Sequence, residues 1–440
     1  MLSVTKTLTL ASQLEKKLKS FSLNQLAKEQ GFVQRKARKI TPLSFLMGFF
    51  IMVLTGQHSL SSFAITIGLL HNIRISKQAV YKRINPGLIC FLRSLLGHCL
   101  VHNSDVPASS LKEKFASAFN RIFLQDSTQI QLTPDLANQF PGNRNRSSKK
   151  FSILKIQTVY ELFTETFHHF DFSSFAKNDQ AASSDILTIL AKGDLIIRDL
   201  GYLVLSVLKK ISRLGAYFIC RYKHGILVFK TDGQTPVDLL RLLNKQGRLD
   251  EDVVIGKKEK VPVRIVAIPV PEPLAAERRR KAKANRDKRL NPSKEHLALM
   301  SWNIFILNVS RDTLSMEQIA LLYRLRWRIE IIFKSWKSHF HLRNVPKASF
   351  ERVLSYIYSI LIFITLFQTY VYHRLHRKTI ENNLQQLSLF KVTKFFKEQI
   401  WAVLLFFMQP ERLENQIYYH CSYEKRKKKI NYAQTILALS

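Results

Sequence analysis

The stretch that most narrows what this chain can fold into runs from Tyr323 to Lys337, Y-R-L-R-W-R-I-E-I-I-F-K-S-W-K, with one acid among five cations. Ser315 followed by Gln318 has the form of a capping box, and no Gly or Pro occurs from there until Pro346, so a long helix is predicted. At about 100° per residue, Tyr323, Arg326, Glu330 and Lys337 lie within an arc of roughly 60°. Leu322, Leu325, Ile329, Ile332, Phe333 and Trp336 gather on the adjoining arc, as a helix packed on a sheet requires. One stripe anchors the helix; the other is presented to something. Taken alone, the polar stripe also fits a salt-bridged surface, because Glu330 is four residues from both Arg326 and Lys334.

The rest of the composition says what that something is. With 68 Lys plus Arg against 32 Asp plus Glu, the formal charge is +36, which favours a polyanionic partner, nucleic acid or an anionic membrane surface. A ribosomal or chromatin-packaging protein would share the charge, but not the 46% apolar content with 30 Phe. At 440 residues the chain is a globular, core-rich basic protein with room for about three domains. Its four cysteines, Cys90, Cys99, Cys220 and Cys421, form no CxxC pair, so neither a zinc site nor a disulfide framework is indicated. A reducing, cytoplasmic setting fits, and the N-terminus does not read as a signal peptide. Of two apolar runs, Leu43 to Thr55 is too short to span a bilayer, which takes about 20 residues. Val353 to Tyr372 is nearly long enough, but it contains Ser355, Ser359, Thr365, Gln368 and Thr369 and has basic flanks. It reads as a buried core helix, and no membrane partner is expected.

Along the chain, residues 1–110 read as helical. A basic cluster at Arg35 to Lys39 precedes a helix from Ser59 to Leu70, a turn from His71 to Ile75 and a second helix from Ser76 to Arg83 with Ser76 as N-cap. This pattern suits a DNA-binding helix-turn-helix using Gln78, Tyr81, Lys82 and Arg83, and equally an ordinary helical hairpin. Residues 111–207 carry sheet signals: a short strand Arg121 to Thr128 holding Asp126, antiparallel strands Ser152 to Phe163 and Thr166 to Phe175, a helix from Ser183 to Ala191, and a strand Asp194 to Tyr202 holding Asp199. Sites in open α/β sheets are built at strand ends, where both acids fall, although either Asp alone reads as a turn or cap residue. Gly201 would let the backbone turn sharply after Asp199. Residues 208–300 read as β-rich, with strands Gly215 to Lys223 and Val261 to Val270 and a helix Val237 to Leu243 opened by Pro236. The basic run Glu277 to Arg289 reads as a phosphate-tracking arm or a solvated loop, and Arg221 and Lys223 add to the same DNA-binding surface. Residues 301–372 hold the strand Trp302 to Asn308 and the long helix, and 373–440 are helical with a basic end at Glu424 to Lys429.

The spacing Y-x2-R-x3-E-x6-K, the D-S-T at Asp126 and the D-x-G-Y at Asp199, in the order D, D, E at intervals of 73 and 131 residues, together resemble the signatures of the DDE-type insertion-sequence transposases of the fourth insertion-sequence family, which includes cut-and-paste bacterial enzymes. The resemblance covers Asp126 to Lys337, about half the chain. It implies an α/β fold, a ribonuclease-H-like mixed sheet interrupted by a β-rich insertion, with helical N- and C-terminal regions. Asp126, Asp199 and Glu330 would be the catalytic, metal-binding carboxylates. Tyr323, Arg326 and Lys337 would grip phosphates at the transposon end, and Trp302 would stack on a base flipped out of that end. Two Mg2+ ions about 4 Å apart, with Mn2+ able to substitute, can activate an attacking oxygen and stabilise a leaving one; their preference is for carboxylate and water oxygens. The implied reaction is hydrolysis that frees a 3′-OH, which then attacks a target phosphate; relatives often pass through a hairpinned end. The implied partner is double-stranded DNA, both transposon ends and target, held by a homodimer. A metal-dependent nuclease of the same fold without strand transfer, a non-catalytic DNA-binding transposition regulator, and a basic membrane-associated protein are the alternative readings.

Overall fold

A computed structural model describes residues 17–18, 20–34, 40–101, 110–143, 151–284, 291–381, 385–399, 410–424 and 430–439. The basic cluster Arg35 to Lys39, the end of the basic run at 285–289 and the C-terminal basic residues 425–429 lie outside them.

The N-terminal region is helical, with α1 (Leu23–Glu29), α2 (Pro42–Thr55), α3 (Leu60–His71), α4 (Lys77–Tyr81), α5 (Pro86–Val101) and α6 (Ser110–Phe115). Ser59 and Ser76 cap α3 and α4 through their hydroxyls, and Asn72 closes α3 in the left-handed conformation. Gln78, Tyr81 and Lys82 are exposed, whereas Arg83 donates back to the Ala79 carbonyl at 3.0 Å. Gly48 lets α2 and α3 touch: a Cβ there would stand 2.3 Å from Cε2 of Phe63.

Among the described residues the centre is a nine-stranded sheet in the order β3-β2-β1-β4-β5-β9-β8-β7-β6. Its strands are β1 (Ile122–Leu132), β2 (Ser152–Glu161), β3 (Thr166–Ser174), β4 (Leu195–Arg198), β5 (Tyr217–Arg221), β6 (Val228–Phe229), β7 (Leu249–Ile255), β8 (Val261–Pro269) and β9 (Trp302–Leu307). β1, β4 and β5 run parallel, and every other pairing is antiparallel. The mixed order β3-β2-β1-β4-β5 is that of a ribonuclease-H-like sheet, and β6 to β8 extend the same sheet through β9. The apolar first half of β1 is buried on both sides, as a strand beside a parallel neighbour must be. Leu124, Ile197, Ile219 and Phe305 face one core, and Phe123, Ile196, Phe218 and Ile306 face the other.

The second core is closed by α7 (Leu205–Arg213), α8 (Leu239–Gln246) and α10 (Lys294–Leu299), and α9 (Glu272–Lys283) precedes α10. The first is closed by α11 (Met316–Leu325), α12 (Trp327–His339) and α13 (Phe350–Phe367). The apolar run expected as a core helix is α13, packed against α5 and α2. Phe350–Thr379 is long and apolar enough to cross a membrane by length and composition, yet 72% of its apolar window is buried inside the protein. Among the described residues, helices α14 (His373–Glu381), α15 (Leu389–Glu398), α16 (Pro410–Cys421) and α17 (Tyr432–Ala438) follow.

Several local expectations are corrected by the structure. The segment expected to be a helix from Ser183 is a 3-10 turn at Ala181–Thr188. Helix α8 starts at an Asp238 carboxylate that accepts from the Arg241 amide at 2.9 Å, not at Pro236. The basic run is helical in its described part, α9. The single long helix is two, and Arg326 is the joint. Around it the backbone tightens to bonds of three-residue span, Arg326 N to Tyr323 O and Ile329 N to Arg326 O, each 3.2 Å. The capping box at its start is present: Ser315 Oγ accepts from Gln318 N at 3.3 Å, and Gln318 Oε1 accepts from Ser315 N at 2.9 Å.

Candidate active site

Asp126 is not at the end of its strand. β1 continues through it to Leu132, but pairing with β4 stops at Gln125 opposite Arg198, so Asp126 is the first residue past the point where the two parallel strands part. Asp199 is its counterpart on β4, at the N-cap position of a 3-10 turn, Leu200–Tyr202. Both side chains point to the sheet face covered by α12, because Leu124 and Ile197, two residues earlier on each strand, do so. Glu330 lies on the first turn of α12. The three acids come from three separated stretches and meet at one group, the Arg326 guanidinium. Its Nη2 is 2.7 Å from Glu330 Oε1, its Nη1 3.6 Å from Asp126 Oδ2 and its Nε 3.8 Å from Asp199 Oδ1.

The electrostatics follow from that crowding. Burial pushes the Asp126 carboxyl up to about 7; Asp199 and Glu330 push the same way, and the Ser127 amide and Arg326 only partly offset them. Glu330 is also raised, by burial and by Asp199 against the pull of Arg326. The guanidinium itself is held above its ordinary value, since the acids and Tyr323 outweigh its own burial. The loose 3.6 Å contact explains why Asp126 stays raised beside a cation.

Among the described residues no three His, Cys, Asp or Glu side chains already stand as a metal-holding group. The donor chemistry nevertheless fits a hard divalent cation: three carboxylates, all oxygen donors, already share one cation, and one of them has a strongly raised pKa.

Tyr323 is half-buried, its ring 5.8 Å beneath the Arg326 guanidinium. Lys337 is half-buried two turns beyond Glu330, and among the described residues no ion pair joins it to the three acids; burial and Arg343 lower its pKa. Arg221 and Trp302 lie together in a second recess of about 100 Å³, with Arg278, His224 and His296. The Arg221 guanidinium donates to Asn303 Oδ1 at 3.0 Å and lies 5.5 Å over the Phe305 ring. Trp302 donates its indole N–H to the Gly247 carbonyl at 2.8 Å. Arg278 of the basic helix donates to the same Asn303 at 2.9 Å.

Sequence reading missed what stands behind the acids. On the opposite sheet face, Asp179 accepts from Ser127 Oγ at 2.9 Å, Lys155 Nζ at 3.2 Å and Gln157 Nε2 at 3.4 Å. Tyr202 donates to Gln157 Oε1 at 2.5 Å, and the buried Arg198 donates to Gln125 Oε1 at 2.7 Å. This polar layer ties β1, β2 and the Asp199 turn together. It also changes the reason for Gly201: its φ is ordinary, but a Cβ would lie 3.2 Å from Asp179 Oδ2. Nothing local marks Asp179, which is 52 residues from Ser127. A second buried network holds α12 from its other side: Arg328 pairs with Glu165 at 3.5 Å, Glu165 accepts from Tyr432 at 2.7 Å, and the Arg328 guanidinium stacks 4.3 Å over the Tyr432 ring.

The sequence profile of the family described as "Transposase DDE domain" matches residues 117–366, which contain all three acids. Over 417 residues the chain is 28% identical to the transposase for insertion sequence element IS231E of Bacillus thuringiensis subsp. finitimus, covering 89% of this chain and 86% of that one. It is 29% identical over 374 residues to the transposase for insertion sequence element IS1151 of Clostridium perfringens, covering 80% and 78%. With the transposase for insertion sequence element IS231B of Bacillus thuringiensis subsp. berliner the identity is 29% over 400 residues, covering 86% and 82%. A domain match over more than half its length, on a sheet of ribonuclease-H-like order, makes this chain a member of the DDE-domain transposase family.

Proposed function

We propose that this transposase cuts DNA at the ends of its own insertion sequence and joins the freed 3′-OH to target DNA at a single site made by Asp126, Asp199 and Glu330. The observation that carries the reading is their convergence, from stretches 73 and 131 residues apart, on one guanidinium. Two Mg2+ ions, or Mn2+ in their place, would be held by these carboxylates and would supply activation of the attacking oxygen and stabilisation of the leaving one. Asp126, within β1, and Asp199, just past the end of β4, are braced from behind by the Asp179 layer, so their oxygens are placed before DNA arrives. Glu330 rides on α12, whose far side the Arg328 and Glu165 pair anchors.

Arg326, Tyr323 and Lys337 bind the phosphate beside the cleaved bond in this reading; the guanidinium supplies the bidentate fork that a phosphate suits. Trp302 and Arg221, in their shared recess, receive a base turned out of the duplex end, the indole offering the stacking face. The domain division 1–110, 111–207, 208–300, 301–372 and 373–440, a homodimer on DNA and a cytoplasmic location complete the proposal. The test is Mg2+-dependent cleavage and joining of the DNA that natively flanks the reading frame, wild type against Glu330→Gln. Joined product lost in the variant supports the reading; cleavage without joining points to a nuclease, and joining that survives Glu330→Gln removes the third acid.

A further inference from the structure

We infer that Arg326 is an internal counter-ion of the three acids, which a divalent cation must displace and which a DNA phosphate draws away, so that metal and DNA binding reinforce each other. The inference rests on the proposed role of Asp126, Asp199 and Glu330. Among the described residues, every ion pair that these acids make is to Arg326. A dication held by the same oxygens would be a close neighbour of the guanidinium, and two positive charges repel strongly in a half-buried setting. The two cations therefore compete for one set of carboxylates.

The guanidinium is held well enough to occupy the site and loosely enough to leave it. Only Nη2 to Glu330, at 2.7 Å, is within hydrogen-bond length; the other two contacts are longer, and Nε is buried with no hydrogen-bond partner. An exit is at hand. The guanidinium is 5.8 Å from the ring centre of the half-buried Tyr323 and 6.0 Å from that of Trp327, which is 59% exposed. A turn of the side chain toward Trp327 keeps a cation–π contact while bringing the fork to the surface, where a phosphate offers two charged oxygens at once. By linkage, whatever DNA gains in metal affinity, metal gains in DNA affinity.

The experiment is an Mn2+ titration of the DNA-free full-length protein, followed by electron paramagnetic resonance, for wild type, Arg326→Met, and Arg326→Met combined with Glu330→Gln, with unfolding midpoints recorded for each. Arg326→Met is expected to bind Mn2+ at least tenfold more tightly than wild type, and the added Glu330→Gln to abolish that gain. Equal or weaker binding in a folded Arg326→Met overturns the inference. If that variant does not fold, Arg326→Gln, which keeps a donor for Glu330, stands in for it under the same criterion. Tighter binding that survives Glu330→Gln shows the metal to be held elsewhere, so it is the reading of the three acids that fails.

Discussion

Asp126 should weaken the fold that carries it, and Asp126→Asn measures by how much. Its carboxyl is raised from 3.8 to about 7, chiefly by burial. At about 1.4 kcal/mol per pKa unit, that is at most about 4 kcal/mol lost once the group is ionised. The side chain retains 17% exposure and a contact with Arg326, so about 2 kcal/mol is the expected net effect. The folded protein binds this proton more tightly than the unfolded chain does. The favourable contribution is therefore complete below pH 3.8 and disappears as pH rises through about 7. Asparagine does not titrate, and its Oδ1 can still accept from the Ser127 amide, as Asp126 does at 2.8 Å. The variant should thus equal wild type near pH 4 and exceed it by about 2 kcal/mol at pH 8. Urea unfolding with chelator present, at several pH values between these, reads the difference directly; groups common to both proteins cancel. A variant no more stable than wild type at pH 8, or a gap that does not change with pH, would refute the assignment of a destabilised carboxylate. Adding Mg2+ should narrow or reverse the gap, because wild type then gains more binding free energy on folding than a variant left with two of the three carboxylates.

Glu330→Gln should abolish cleavage and joining while leaving the affinity for DNA within a few fold, as seen in a gel-shift assay beside the cleavage assay. Arg328→Met leaves Glu165 buried without its guanidinium partner and should cost about 3–5 kcal/mol of stability, measured by urea unfolding at pH 7. Burial alone would raise Glu165, but Arg328, His373, His376 and Tyr432 together hold it below its ordinary 4.5. Wild type should therefore lose stability as pH falls below about 4.5, and Arg328→Met should lose less, which acid titration of the unfolding midpoint checks. Trp302→Ala should slow end cleavage by about 10- to 100-fold while Trp302→Phe retains most of the rate, if a stacked base contributes about 1–3 kcal/mol. Gly48→Ala places a methyl 2.3 Å from Phe63 and should cost about 1–3 kcal/mol without altering DNA affinity.

Much of the candidate site was legible because its residues stand in short, local patterns. The three acids, Tyr323, Arg326 and Lys337 each stand in a motif that can be read along the chain, and the capping box at Ser315 predicted the start of the helix that carries Glu330. The antiparallel pair was equally legible, since alternation is carried by near neighbours in sequence, although its connection is the four-residue turn 162–165 and not the two-residue one expected at Thr164-Glu165. Less legible were features decided by what packs where. Asp126 reads as a strand end because acids and hydroxyls follow an apolar run, but β2 pairs with β1 all the way to Leu132 and carries the strand on. Arg326 sits in a helical pattern with no Gly or Pro, and yet the helix tightens there.

The amino-acid sequence alone brought out the candidate site residues, the order of the acids and the placing of the buried helix α13, because charge, periodicity and spacing are carried by neighbouring residues. Only the tertiary structure decided that one guanidinium lies among all three acids, that the polar layer of Asp179, Lys155, Gln157 and Tyr202 braces them, and that what bears on Gly201 is the nearby Asp179 carboxylate and not its φ. The reason is physical: those contacts join positions dozens of residues apart, and strand register and helix docking set them, for which local propensity holds no information.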